Sequence, residues 1–286
     1  MTRIENHIMN LPKRIDSYIE NHFPYLKYLL CRTAGRCYFG KYLASAQGLK
    51  IRHHYMTQLV QRYSGCSQER IVLIEIGSWA GGSAITWASA IQKYSDAKGS
   101  VICVDPWIDY IDCDADKDPI LKTMKEALIA NKIYKLFLHN VISSGFSEMI
   151  SILRGASEDV LPAISEGSAD IIYIDGDHSY DHVMKDITRS FHLLKDGGIL
   201  CGDDLELQYR DVDQTTIHSC NHLDYITDPG TKIKYHPGVS LAVHDYFKTE
   251  VSAWDGFWAM QKNTHGFSKI SLSEGDEIIH IPKHLQ

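Results

Sequence analysis

The sequence predicts an α/β protein on a doubly wound, mostly parallel sheet of seven strands, the last antiparallel, with a helical cap at the N-terminus. Short, continuous apolar runs alternate with amphipathic stretches between residues 71 and 205. Repeated strand-helix units of this kind build parallel sheets buried on both faces. The first apolar run ends in a glycine-rich turn, and the first sixty residues carry helical periodicity alone.

In the cap, residues 1–60, Ile15, Tyr18, Ile19 and Phe23 recur at helical spacing, and Ile51 to Tyr63 is similarly amphipathic. The stretch between them, Leu29 to Leu49, is aromatic and interrupted by Gly35, Gly40 and Gly48. So short a segment holds little core of its own, so it is expected to serve the larger domain, residues 61–286. Ile71–Ile76 is the first strand, Ser83–Tyr94 a helix, and Val101–Val104 the second strand. Pro119–Ser144 contains a helix, Met149–Leu153 is the third strand, and Val160–Ile164 is a short helix. Ala169–Ile174 is the fourth strand; an amphipathic helix follows over Tyr180–Leu194, with Gly197-Gly198 as its stop. Ile199–Gly202 is the fifth strand. Residues 206–236 then lose regularity, as a lid or acceptor-binding loop does. Gly238–Lys248 returns to helix, and Trp254–Gln261 with Ser268–Leu272 form a closing antiparallel pair.

Composition narrows the function. The 286 residues are 44% hydrophobic and 23% charged, with a formal net charge of -7 and no lysine- or arginine-rich run. A duplex-binding protein presents a basic patch, so no nucleic-acid partner is expected. Cys31, Cys37, Cys66, Cys103, Cys113, Cys201 and Cys220 include no Cys-x-x-Cys pair, which fits reduced, packed thiols in the cytoplasm. The opening residues carry an early acid and no apolar core, so no secretory leader is expected. No apolar run approaches the roughly twenty residues that span a bilayer, so no membrane partner is expected either. The N-terminal helices could mediate homo-oligomer assembly.

Right-handed crossovers place ligands at the carboxyl ends of the strands. At the first end stands Glu75-Ile-Gly77-Ser78-Trp79-Ala-Gly81-Gly-Ser83. Glycines there let the backbone turn sharply and approach a ligand, while the helix start offers unpaired N–H groups. The spacing is not Gly-x-Gly-x-x-Gly, and no Gly-Lys-Ser/Thr follows, so neither a dinucleotide fingerprint nor a nucleoside triphosphate loop is present. Glu75 would repel phosphate but could receive a cationic amino-acid group. Asp105, ending the second strand, suits both hydroxyls of a ribose, or alternatively a helix cap. Together the turn and the acid favour an adenosine ligand without phosphates; a plain tight turn is the competing reading.

The fourth strand runs into Asp175-Gly-Asp177-His178, and the fifth into Asp203-Asp204. These ends are neighbours in a parallel sheet, so the carboxylates converge, and a divalent cation relieves such repulsion. All-oxygen ligation selects Mg2+, Mn2+ or Ca2+. The alternative is a solvated loop with capping aspartates. His178 has the chemistry of a general base near neutrality, although 15 histidines in the chain leave a plain surface role open.

These residues together resemble the class I S-adenosylmethionine-dependent methyltransferases, with their Rossmann-like sheet. The likeness is closer to the Mg2+-dependent O-methyltransferases acting on sugars of macrolide and aminocoumarin antibiotics, and more distant to catechol O-methyltransferase. It spans about residues 70–260 and rests on Glu75, Gly77, Trp79, Gly81 and Ser83, on Gly155-Ala156-Ser157-Glu158-Asp159, and on Pro237-Gly238-Val239-Ser-Leu-Ala242-Val243. The resemblance implies S-adenosylmethionine held by Glu75, Gly77, Ser78, Trp79, Gly81, Ser83, Asp105, Ser157 and Asp175. It implies a metal on Asp175, Asp203 and Asp204, and a base at His178 or, as in other sugar enzymes, Asp177. The acceptor implied is a hydroxyl of a small, sugar-containing molecule. A glycosyltransferase using Asp175-Gly-Asp177 for a nucleotide sugar, a hydroxylase on the same scaffold, and a protein that only binds the cofactor are the rival readings.

Overall fold

The computed structural model describes residues 13–46, 48–66, 70–96, 98–109, 119–272 and 283–285. Cys66 lies at a helix end whose side chain is outside that description, and Cys113 lies outside it altogether. Five parallel strands form the heart of the sheet: β1 (Ile71–Ile76), β2 (Gly99–Asp105), β3 (Ile150–Arg154), β4 (Ala169–Ile174) and β5 (Leu194–Leu205). Their spatial order is β3-β2-β1-β4-β5, reversing direction of growth at β1. β9 (Gly256–Asn263) adds to β5 antiparallel, and the outer edge of β9 is shared by β8 (Ser252–Trp254) and β10 (Gly266–Lys269). Seven positions across the sheet are thus filled by eight strands, because two short segments divide the last position.

Alternation along the central strands sends side chains to two cores. Ile71, Leu73, Ile171, Tyr173 and Ile199 face one side. There they meet α3 (Lys50–Cys66), α4 (Gly82–Tyr94) and α6 (Lys132–Ser144), through Met56, Leu59, Ile85, Trp87 and Phe137. Ile74, Ile76, Ile172, Ile174 and Leu200 face the other, against α8 (Tyr180–Leu193) and α10 (Pro237–Phe247), through Val183, Ile187, Val239 and Ala242. The result is a three-layer sandwich with helices on both faces of the sheet.

The N-terminal segment belongs to the first core. α1 (Lys13–His22) and α2 (Pro24–Thr33) precede α3, and α3 runs continuously through residue 60. Tyr28, Tyr38, Leu43 and Val60 are buried with the residues of β1 and α4. Asn140 on α6 accepts from the Tyr38 N–H at 2.8 Å and donates to the carbonyls of Tyr38 and Ala80. Trp79 donates its indole N–H to the Ala44 carbonyl at 2.9 Å. The N-terminal segment is therefore fastened to the turn after β1.

Several local expectations shift. The helix before β5 ends at Leu193, one residue short of the expected Leu194, and Gly197-Gly198 are not its stop. Those glycines lie in an extended loop-out within β5: Leu194 pairs with Ala169, and pairing resumes only at Ile199 with Ile171. Gly197 takes a positive φ of 83° there, so its signal belongs to a bulge rather than a helix end. Pro119–Ser144 is two helices, α5 (Pro119–Leu128) and α6, broken where Ala130 and Asn131 both adopt φ of 56°. Residues 206–236 contain order of their own: α9 (Gln214–Cys220), capped by the Asp213 side chain, and a hairpin of β6 (Ile226–Thr227) with β7 (Lys234–Tyr235). Ile217, Tyr235 and Leu241 bury together beneath it. The remaining α-helix among the described residues is the short α7 (Ser157–Val160).

Candidate active site

The turn after β1 is built for close approach. Gly77 has φ of 87°, and a Cβ there would lie 2.0 Å from the Asp175 carbonyl. No side chain fits, so the loops after β1 and β4 touch backbone to backbone. Glu75 is fully buried; one carboxylate oxygen accepts from the Ser78 hydroxyl at 2.6 Å, and Oε1 has no partner. Burial pushes its carboxyl up to about 7. Glu75 lies beneath the turn and is not among the residues lining the two cavities at these strand ends.

Asp105 organises the same turn. Its Oδ2 accepts from the backbone N–H groups of Ser78 and Trp79, both at 3.0 Å, and its Oδ1 from Trp107 at 2.7 Å. Burial raises its pKa, against the pull of those three bonds. The carboxylate retains accepting capacity and lines the cleft, so it can serve a ligand while fixing the loop.

A cavity of about 440 Å³ opens at these strand ends. Gly77, Trp79, Asp105 and Ser157 line one part; Asp175, Asp177, His178 and Asp204 line another. A second cavity of about 160 Å³ shares Gly77, Trp79 and Asp175 with it, and reaches Ser78, Ser83 and the N-terminal helix. Volumes in the range of about 300–1,000 Å³ are those of small-molecule sites. Gly81, with φ of 85°, lies at the cap of α4 and packs its backbone against Phe137.

The acidic residues meet, though through intermediaries. The Tyr173 hydroxyl reaches Asp175 at 3.1 Å and Asp203 at 3.5 Å. Arg52, on α3, binds Asp203 at 2.7 Å and Asp204 at 3.3 Å. Burial, then repulsion from Asp203 and Asp204, lifts the Asp175 carboxyl well above the usual range. Burial and Asp204 push Asp203 up to about 7 despite Arg52. Burial also works against ionised Asp204, but His178, His236 and Arg52 outweigh it and hold its pKa down.

His178 lies between two acids, Nε2 3.0 Å from Asp204 and Nδ1 2.6 Å from Asp224. Burial disfavours its charge, yet the two carboxylates more than reverse that and raise its pKa well above 6.5. The backbone fixes it as well: Gly238 approaches so closely that a Cβ would stand 2.2 Å from the His178 carbonyl. Its ring meets His236 edge to face at 4.5 Å between centroids, and His236 bonds Glu206 at 3.1 Å. Among the described residues, His178, Asp204 and His236 form the group whose potential metal-ligating atoms all lie within 4.8 Å of one another. Asp177 is otherwise engaged: its Oδ1 accepts from the Ser179 N–H at 2.7 Å at the start of α8.

Arg52, Asp224, His236, Glu206 and Tyr173 were not among the residues picked out as candidates from sequence. Asp186 was also missed; it is 5% exposed, lines the cavity beside Ser157, and has its pKa pushed up to about 6 by burial. Its place on the inner face of the amphipathic helix α8 was the available signal, since an acid among Val183, Ile187 and Ser190 needs a reason to be buried.

Residues 74–205 match the family described as a methyltransferase domain. No curated protein matches the chain in sequence. Among solved structures, the O-methyltransferase NovP is 16% identical, with a TM-score of 0.52, over 82% of this chain and 87% of that one. TomG from Streptomyces achromogenes, an O-methyltransferase involved in tomaymycin synthesis and solved with S-adenosylmethionine, is 12% identical over 89% and 92%, with a TM-score of 0.46. A Bacillus cereus O-methyltransferase bound to S-adenosylhomocysteine is 13% identical over 89% and 93%, with a TM-score of 0.46. At these identities the likeness is one of fold. The domain match does not favour the nucleotide-sugar reading of Asp175 and Asp177. Among the described residues no helix is long and apolar enough to cross a membrane, and Cys31, Cys37, Cys103, Cys201 and Cys220 are free thiols.

Proposed function

We propose that the chain, whose residues 74–205 match a methyltransferase domain, is a class I S-adenosylmethionine-dependent O-methyltransferase that uses a divalent cation and acts on a small, sugar-bearing hydroxyl acceptor. One observation carries the reading: the about 440 Å³ cavity joins the turn at Gly77 and Asp105 to the acids and His178 without interruption. The donor half is matched to a sulfonium nucleoside. In this reading the unpartnered Glu75 oxygen would receive the cationic amino-acid group, Asp105 the ribose, and Ala156 and Ser157, which line the cavity with Asp105, the adenine.

Methyl transfer is an in-line displacement: the acceptor oxygen forms a bond to the methyl carbon as the carbon–sulfur bond breaks, and the hydroxyl proton leaves to a base. Alignment is most of the enzyme's task. His178 is the favoured base because it faces the cavity and is held rigidly by Asp224 and by Gly238, whereas Asp177 is committed to the start of α8. Asp204 is the chief group holding the imidazole in its charged form. Asp224 supports the same charged form, and His178 acts as a base only from its neutral state.

Carboxylate oxygens suit a hard cation. Asp175 and Asp203 stand on adjacent strand ends, and burial and acid neighbours raise their pKa values although Arg52 already neutralises part of the cluster. Asp175, Asp203 and Asp204 would hold the ion, whose contribution is to lower the pKa of an acceptor hydroxyl. The hairpin and helix of 206–236 overhang this end of the cleft through Asp224 and His236, which suits recognition of a bulky acceptor.

Calorimetric titration with S-adenosylhomocysteine, UDP and GDP, followed by methyl transfer to a panel of sugar and catechol acceptors with and without chelator, tests the reading. Binding of S-adenosylhomocysteine alone with chelator-sensitive O-methylation is expected. Binding of UDP, or full turnover in chelator, would reject the donor or the metal respectively.

A further inference from the structure

The N-terminal helix α3 delivers a cation into the acid cluster. Arg52 contacts Asp203 at 2.7 Å, Asp204 at 3.3 Å and Glu206 at 3.3 Å, and its Nε donates to the Asp255 carbonyl at 2.9 Å. The seat is shaped for it. Gly256 has φ of 90°, and a Cβ there would lie 2.4 Å from the guanidinium, so any larger residue would push the arginine out. Tyr55, one turn along, fastens the same helix by donating to the Asp255 carboxylate at 2.6 Å. A planar fork of five donors suits several carboxylates at once, which a lysine could not match.

We propose that Arg52 is a resident counter-cation of this site, and that a divalent cation on Asp203 and Asp204 competes with it, so that Arg52 sets the metal affinity. This rests on the metal reading above. Like charges a few ångström apart repel, and both cations draw on the same two carboxylates. Because the guanidinium is anchored through α3 to the segment around Asp255, metal occupancy and the seating of α3 become reciprocal. The first turn of α3 also lines the about 160 Å³ cavity with Gly77, Ser78 and Ser83, so the competition reaches the donor side of the cleft.

Mn2+ binding to the full chain, measured by calorimetry and by electron paramagnetic resonance in the absence of acceptor, tests this without turnover. Arg52→Met keeps the aliphatic stem and removes the charge, and is expected to bind Mn2+ at least about tenfold more tightly than the unaltered protein. Arg52→Lys should fall between the two, and Arg52→Gln repeats the neutral test should the methionine variant fold poorly. In the unaltered protein, Mn2+ should also speed hydrogen exchange over residues 50–56. Equal or weaker Mn2+ binding by both neutral variants, with binding by the unaltered protein intact, overturns the competition and leaves the metal reading standing. Failure of every form to bind Mn2+ overturns both.

Discussion

Replacing Asp186 by asparagine should stabilise the protein at alkaline pH and leave it unchanged in acid. Asp186 is 5% exposed on α8, and burial lifts its carboxyl from 3.8 to about 6. A carboxyl with a raised pKa in the fold contributes stability in its protonated form. That contribution is complete below the unfolded value near 3.8, and is lost as pH rises through about 6. Holding Asp186 ionised at pH 8 therefore costs on the order of 3 kcal/mol. Asparagine has the same shape, retains an acceptor for Ser157, and carries no charge. Urea unfolding of both proteins at intervals from pH 4 to pH 8 should show a difference near zero at pH 4. It should grow across the window and level off at about 1–3 kcal/mol in favour of the variant, the lower figure allowing for relaxation around the charge. A difference independent of pH, or a variant less stable at pH 8, would refute the reasoning. A buried acid kept at such a cost in the wall of the cavity is a candidate for a functional role.

His178→Ala should lower kcat by about 10²–10⁴-fold while S-adenosylhomocysteine affinity stays nearly intact; full turnover would remove His178 from the base role. Gly77→Ala places a methyl 2.0 Å from the Asp175 carbonyl. It should cost at least about 2 kcal/mol in denaturant unfolding and weaken S-adenosylhomocysteine binding, and a silent substitution would show that the two loops do not meet there. Asp204→Ala should lose activity that added Mg2+ or Mn2+ does not restore, read by methyl transfer across a metal titration.

The parts of the fold that were legible are those governed by local rules. Apolar runs such as Ile71–Ile76 and Ala169–Ile174, each broken by a single acid, read as strands covered on both faces, and they occupy the centre of the sheet. The strand-end position of Glu75, Asp105, Asp175, Asp203 and Asp204 followed from that topology, and all but Glu75 and Asp203 line the larger cavity. Gly197-Gly198 was misleading because one local signal, a positive φ, serves a helix end and a strand bulge alike. Residues 206–236 looked irregular because α9 and the β6–β7 hairpin are too short for periodicity to register. The charge partners of the site were out of reach for a different reason. Arg52 meets Asp204 across 152 positions, and Asp224 meets His178 across 46, so nothing local announces either pairing. An acid cluster read without its arginine looks emptier of positive charge than it is.

A crystal structure of the full chain grown with S-adenosylhomocysteine and Mn2+ tests the central claim most directly. The account predicts the thioether sulfur beside Gly77, the ribose hydroxyls on Asp105, and an anomalous Mn2+ peak within bonding distance of Asp175, Asp203 and Asp204. A nucleoside lodged elsewhere, or manganese density away from those three carboxylates, would contradict it.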